Sequence, residues 1–194
     1  TNNMVQQWTK MFVRGEEEHP IEAIAFANNK IIMAATSFKN KAETKLNVLV
    51  SCLNNKGSYV TENFLVGDID FSESGDLDKL QICISDDQQK ISFIQNEIKK
   101  DQSQTTHILI TDTAFAITEK KNIELSYTER NFYFESWAIT NNGDFVLLAT
   151  YISKEKSSNK KRWTAYKLFV SKAGSSETKE YAINSDDTYI GGSY

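Results

Sequence analysis

Proline occurs once in these 194 residues, at position 20, while cysteine and histidine occur twice each and glycine eight times. Two cysteines, Cys52 and Cys83, are too few for a disulfide framework, and without paired His or Cys spacing they form no zinc motif. Both fall in predicted strands, where a free thiol behaves as a small hydrophobe. A Cys52–Cys83 bridge would need adjacent strands with facing side chains. Scarce glycine leaves no phosphate-cradling loop, the nearest approach being Gly191-Gly192. No apolar run nears the ~20 residues that span a bilayer. The longest, such as Phe145–Ala149, are strand-sized, so a soluble chain without a transmembrane segment is expected. Positive charge is not in excess either: 22 Lys and Arg against 26 Asp and Glu give a net charge of −4. Interspersed signs argue against nucleic acid or an anionic membrane surface as partner, since both need clustered basic residues.

Catalytic machinery is equally sparse. A nucleophilic triad needs Ser or Cys, His and a carboxylate brought together, and no Gly-x-Ser-x-Gly elbow is present. His19 lies in the acidic stretch Glu16–Pro20, which reads as a surface loop, and His107 opens a predicted strand. Carboxylates are more abundant. Asp68, Asp70, Glu73, Asp76 and Asp78 fall close together, and Asp68, Asp70 and Asp76 are the weak candidates for a hard cation. An EF-hand counted from Asp68 needs glycine sixth and glutamate twelfth, but finds Glu73 and Lys79. A strand with one wet face followed by an acidic turn is the plainer account, and neither a metal nor a cofactor is expected.

What the chain does contain is repetition. An amphipathic strand, a polar turn and a more apolar strand occur from Glu22 to Thr36, again from Asp68 to Ile84, and again from Glu135 to Thr150. Recurrence of one supersecondary unit at roughly fifty residues marks an array, most often a propeller. The expectation is an all-β fold of repeated four-stranded antiparallel sheets, propeller-like, with about three blades at 21–67, 68–127 and 134–184 and partial blades at both ends. Turns such as Asn-Asn, Asn-Gly-Asp and Asn-Lys-Gly supply the positive φ that hairpins need.

In the first unit the pattern predicts strands at 22–27, 31–38, 46–53 and 58–65. Leu46–Leu53 is apolar on nearly both faces, which suits the middle of a packed sheet. The second unit is expected at 69–74, 79–85, 107–113 and 122–127, and the third at 136–140, 145–152, 164–171 and 179–184. Aligning Phe26, Phe71 and Ile139 gives separations of 45 and 68 residues, with the excess mostly between Ser85 and His107. In that connection Ile91, Ile94 and Ile98 suit a short amphipathic helix, although Lys90–Ile94 also alternates like a strand. Gln6–Val13 reads as the last strand of a preceding unit and Thr188–Tyr194 as the first of a following one. Closed propellers usually need four to eight blades, so the ring is expected to be completed by further chain or another subunit. A stable monomer of 22.1 kDa would contradict this.

Aromatic residues supply the binding candidates. Tyr127, Phe132, Tyr133, Phe134 and Trp137 cluster in sequence; such rings stack on sugars or anchor proteins, but packing between adjacent sheets is the simpler role. Trp163 stands beside Lys160, Lys161 and Arg162 in a charged hairpin read as solvated. Tyr133, Trp137, Trp163 and Arg162 are therefore the candidate binding residues, with a protein or glycan as partner.

The run His107–Phe115 followed by Ile123–Tyr127, and then Phe134–Thr150 with Asn142-Gly-Asp, resembles bacterial β-propeller-like proteins of unknown function. The matching residues are Asp112, Leu125, Tyr127, Asn142, Gly143 and Asp144, and the resemblance covers about 80–194. These are turn and strand positions, so no functional residue carries over. The resemblance implies a secreted, periplasmic or envelope-associated protein of a Gram-negative bacterium that acts by binding. A non-enzymatic binding or scaffold module is thus the leading expectation. The alternatives are a carbohydrate-active propeller enzyme with paired carboxylates among Asp70, Asp76 and Asp144, and a subunit of an envelope or transport assembly. The first residue is Thr1, which fits a processed chain or a portion of a longer one.

Overall fold

The computed structural model describes residues 20–38, 44–72, 75–99, 101, 103–128, 131–153 and 163–183. Among the described residues there are thirteen strands and no helix, arranged in three antiparallel sheets. The first sheet runs β1 (Ile21–Ala27), β2 (Lys30–Phe38), β3 (Lys45–Asn54), β4 (Tyr59–Asp70). In the second, two short strands, β5 (Asp76–Leu77) and β6 (Gln81–Ile84), share one side of β7 (Ile91–Ile98), followed by β8 (Gln104–Thr111) and β9 (Ile117–Leu125). The third runs β10 (Phe132–Ile139), β11 (Phe145–Ser153), β12 (Trp163–Ser171), β13 (Thr178–Ile183). The all-β class and the repeated antiparallel sheets agree with the sequence pattern.

The second sheet departs from the expected boundaries. Ile69 and Asp70 end β4 of the first sheet, and the segment after them is a link across the second sheet. The helix expected through Ile91, Ile94 and Ile98 is the central strand β7. Its physical reason is burial on both faces: Ile91 and Phe93 join the core shared with the first sheet, and Ile94 joins the core shared with the third. A strand buried on both sides loses the alternation that would reveal it. Consequently β6 is the first strand of its unit, and His107 lies inside β8 rather than at its start. With this register, the last paired residues before each hairpin, Ala27, Ile84 and Ile139, stand 57 and 55 residues apart (27 to 84 to 139). The repeat is far more even than an alignment through Phe71 suggests.

Two hydrophobic cores hold the stack. One joins Ile32, Val48, Val50 and Cys52 of the first sheet to Phe93 and Leu109 of the second. The other joins Ile94, Ile108 and Ile123 of the second to Phe132, Phe145 and Leu147 of the third. Cys52 is buried and Cys83 half-buried, and both are free thiols. The last strands of the sheets carry charge on their outer sides, with Glu119, Lys120 and Glu124 on β9 and Lys179 and Glu180 on β13, a common protection of sheet edges.

The first strands β1, β6 and β10 lie side by side, β6 touching both of the others. Hairpin turns tie this row together. The two-residue Asn28-Asn29 turn has φ of 49° and 59°, as a type I′ turn requires. Asn28 donates from its backbone N–H to Gln88 Oε1 at 2.6 Å and from Nδ2 to the Gln88 carbonyl at 2.8 Å. Asp87 N–H in turn donates to Asn141 Oδ1 at 3.1 Å. One turn from each unit therefore meets its neighbour on the same end of the stack. Gln6–Val13, Lys154–Arg162 and Thr188–Tyr194 lie outside the described residues.

Candidate functional site

Beyond Ile94, the two-faced burial of β7 and β8 continues with polar residues. Gln95, Asn96, Glu97, Gln104, Thr105, Thr106 and His107 are all buried. Such groups need partners, and the link between the first two sheets provides several. Ser72 donates to Glu97 Oε1 from its backbone N–H at 2.8 Å and also from its hydroxyl. Gln95 Nε2 donates to the Asp78 carbonyl, and Asp78 N–H to the Asn96 carbonyl at 3.0 Å. His107 Nε2 lies 2.9 Å from Glu97 Oε2 and its Nδ1 3.0 Å from Asn122 Oδ1. Burial raises the cost of ionising Glu97, but the Ser72 and His107 hydrogen bonds outweigh it and hold the carboxyl below its usual range. A buried carboxylate paired with imidazole is also what general acid–base chemistry uses. Here Oε1 is committed to Ser72 of the link and Oε2 to His107 of β8, so the arrangement acts as a clasp.

Two clefts adjoin this framework. One of about 110 Å³ lies over His107, Asn122, Lys120 and Asp68. Another of about 140 Å³, between the first two sheets at the turn end, is lined by Asn28, Lys30, Ile91 and Phe115 among others. Small-molecule sites usually enclose ~300 Å³ or more, so neither has the size of a pocket for a metabolite.

The expected carboxylates are spread over separate ion pairs. Asp68 accepts from Lys45 and Lys120, each at 3.3 Å, and the Lys45 hydrogen bond leads in holding its carboxyl below the usual range. Asp70 lies 3.5 Å from Lys45. Asp76 is in β5. Among the described residues, no group of three or more His, Cys, Asp or Glu side chains is placed to hold a metal ion. Asp144 accepts from Lys172 Nζ at 2.7 Å and from the Ala173 N–H at 2.9 Å, pinning one hairpin of the third sheet to the other. Asp112 Oδ1 accepts from the backbone of Ala114 and Ala116, both at 2.9 Å, and Gly143 has φ of +92°. Of the residues that carried the propeller resemblance, Asp112, Gly143 and Asp144 thus shape turns, while Leu125 is buried in β9.

Most of the aromatic cluster packs between the second and third sheets. Tyr127 stacks on Phe132 with centroids 4.9 Å apart, and Phe134 stacks on Trp137 at 5.9 Å. Trp137 is half-buried, and its Nε1 is buried without a hydrogen-bond partner among the described residues. Tyr133 points to the opposite side and is half exposed. Trp163 begins β12, and Arg162 lies outside the described residues. Tyr133 and Trp137, the two candidates whose side chains are described, therefore face opposite sides of β10.

A surface that the sequence reasoning missed is more prominent. Among the described residues eleven large hydrophobic side chains are exposed, and eight belong to the first sheet: Ile21, Ile24, Phe26, Tyr59, Val60 and Leu65, together with Phe38 and Phe64, which lie on the core-facing side beside Phe71 and Phe115. Ile24 and Phe26 are 67% and 65% exposed. The signal was available, since Ile24 and Phe26 alternate with alanine. Period-two patterning says that one face differs from the other, not which of them a neighbour covers.

No protein-family profile matches the chain, and no curated protein matches it. Among solved structures, the chain is similar to a variant of the Synechocystis apocarotenoid oxygenase, with TM-score 0.50, 10% identity, and coverage of 86% of this chain and 39% of that one. An ACO/RPE65 chimera in its trigonal crystal form gives TM-score 0.50 and 11% identity, covering 86% of this chain and 39% of that one. The chain spans about two-fifths of the length of either. Likeness at this identity concerns architecture alone, and the architecture common to these proteins and this chain is β-propeller-like.

Proposed function

We propose that this chain is a non-enzymatic binding or scaffold module whose first sheet docks on a protein partner. The observation that carries this reading is the apolar face centred on Ile24 and Phe26. Exposed apolar surface of this kind costs solubility and marks interaction sites. Aliphatic residues and phenylalanine, with few polar groups among them, suit a protein surface; a glycan needs convergent hydrogen-bonding groups around its hydroxyls. A location outside the cytoplasm, implied by the propeller resemblance, belongs to the same proposal. The carboxylates of the enzyme reading, Asp70 and Asp144, are engaged with lysines, and no observation favours that reading.

A photoreactive amino acid placed at position 24 in the source organism tests the proposal, with one at Lys56, in an exposed turn, as control. The expected result is a cross-link to one defined protein from position 24 only, suppressed by Phe26→Ser. Equal labelling from both positions, or a glycan bound equally by wild type and Phe26→Ser, would sink it.

A further inference from the structure

The residue that closes the first hairpin of each unit is charged. Lys30 does so opposite Ala27, Lys90 through its carbonyl, which accepts from the Ser85 N–H at 3.0 Å, and Asp144 through its carbonyl, which accepts from the Thr140 N–H at 2.9 Å. Across the next hairpin each faces an equivalent position: Asn54 pairs with Lys30, while Asp112 and Lys172 lie one step beyond the Ile91–Thr111 and Phe145–Ser171 pairs. In the third unit the two charges meet, with Lys172 Nζ 2.7 Å from Asp144 Oδ2. In the second, Lys90 stands opposite Asp112 and also acts on Asp87, whose carboxyl is held below the usual range by its Ser85 hydrogen bond first, with the Lys90 charge adding to it.

The first unit lacks the matching charge. Asn54 Oδ1 accepts from the N–H of Lys56 at 2.9 Å and of Ser58 at 3.0 Å, the turn-shaping role that Asp112 Oδ1 has toward Ala114 and Ala116. Asparagine keeps the turn without the negative charge. The preceding hairpin is neutral too, Asn28-Asn29 standing where the second unit carries Asp86 and Asp87. Lys30 is half-buried and makes no ion pair among the described residues, whereas half-buried Lys99 and Lys167 and buried Lys121 each have one. A cation drawn partly out of water without a counter-charge is left uncompensated, and a carboxylate brought to it restores the balance.

Room for one exists. Lys30 lines the cleft of about 140 Å³ between the first two sheets, with Ile32, Ile91 and Phe115 as apolar walls, Gln89 and Thr113 as polar neighbours, and no carboxylate in its lining. That is about half the ~300 Å³ of a metabolite site, which suits one side-chain end rather than a whole small molecule. Phe26, on the outer apolar face, and Lys30, on the inner one, belong to successive pairs of the same hairpin, Phe26 opposite Ile31 and Ala27 opposite Lys30. Only the two-residue turn separates that face from the cleft. We propose that the Lys30 cleft receives the carboxylate of an acidic side chain that the protein partner extends over the Asn28-Asn29 turn. For its source, though not for its chemistry, this rests on the partner proposed above.

An NMR titration of the full 194-residue chain with N-acetylglutamate, and with neutral N-acetylglutamine at the same ionic strength, tests the chemistry. The expected result is a saturable shift of the Lys30, Gln89 and Thr113 amides with the acid and none with the amide. Lys30→Met, which keeps the stem and removes the charge, should weaken binding at least about fivefold, the upper end for an exposed ion pair, while the Phe93 and Leu109 amides stay in place. Equal shifts from acid and amide, no shift from either, or binding indifferent to Lys30→Met overturns the proposal. If Lys30→Met fails to fold, the comparison of acid with amide on the wild type decides alone. The source is read from the cross-link at position 24. A yield lowered about fivefold by Lys30→Met supports a carboxylate on the partner, and a yield indifferent to it overturns that source in favour of a free acid. Acid binding without any cross-link from position 24 supports the Lys30 site and overturns the partner reading.

Discussion

Glu97 carries more structural responsibility than any other single side chain described here. One carboxylate joins β7, its neighbour β8 through His107, and the link from the first sheet through Ser72. Removing one member of a buried pair costs about 3 kcal/mol or more, because the other is left without compensation. Glu97→Gln is therefore expected to lower the unfolding free energy of the chain by about that amount, measured by urea titration followed by circular dichroism at neutral pH. Acid should act through the same residue. Because its carboxyl is held below the usual range, the stabilisation is complete above the unfolded carboxyl value of about 4.3. It is lost as pH falls through the lower folded value. Comparing unfolding free energy between pH 6 and pH 3 should show a steeper fall in wild type than in Glu97→Gln. Gly75 guards the contact from the other side, since a Cβ there would lie 2.7 Å from Glu97 Cγ. Gly75→Ala should destabilise by about 1–3 kcal/mol, as overpacking does, and thermal unfolding would register it. None of this was legible in the sequence. Glu97 and His107 meet across a hairpin, and no spacing rule distinguishes a buried pair from two wet residues.

Elements follow the sequence where one face of a strand meets water and escape it where both faces are covered. β1 to β3 and β10 to β12 alternate or run apolar between clear turns, and their limits were readable to within a few residues. β7 was not, because its polar half is as buried as its apolar half. The stripe of Ile91, Ile94 and Ile98 that suggested a helix is divided in the strand. Ile91 and Ile94 are buried on opposite faces, whereas Ile98 is half-buried. A helix would make the three positions equivalent. In the strand, Ile94→Asp should abolish folding by placing an unpaired charge between two sheets, while Ile98→Asp should leave a cooperative unfolding transition. Near-equal loss from both substitutions would contradict the register. Turns were the most legible feature of all. Asn28-Asn29 and Asn142-Gly-Asp form hairpins at the stated positions, although their bonds to neighbouring units have no signature in sequence.

For the whole molecule, protection should follow sandwiching. The second sheet has a core on each side, the others on one among the described residues. Phe93 and Leu109 amides should therefore exchange near the global unfolding limit, with β1 and β13 opening earlier. Slowest exchange in β1 would instead imply that its apolar face is already covered in solution. The propeller-like architecture was legible from the repeat. The apolar flank was not, because a strand sequence does not record which neighbours a molecule has.

The turn bonds linking Asn28 to Gln88 and Asp87 to Asn141 divide the stack into two ends with different freedoms. At that end each hairpin is measured against the next, so added residues would break a chain of bonds running through all three units. The opposite end carries the β2–β3, β7–β8 and β11–β12 connections, whose lengths already differ. Loop closure there costs little for each extra residue. New recognition loops grafted at the second end should leave the sheets intact, and the same grafts at the first should not. The molecule has, in effect, a fixed hub side and an editable rim.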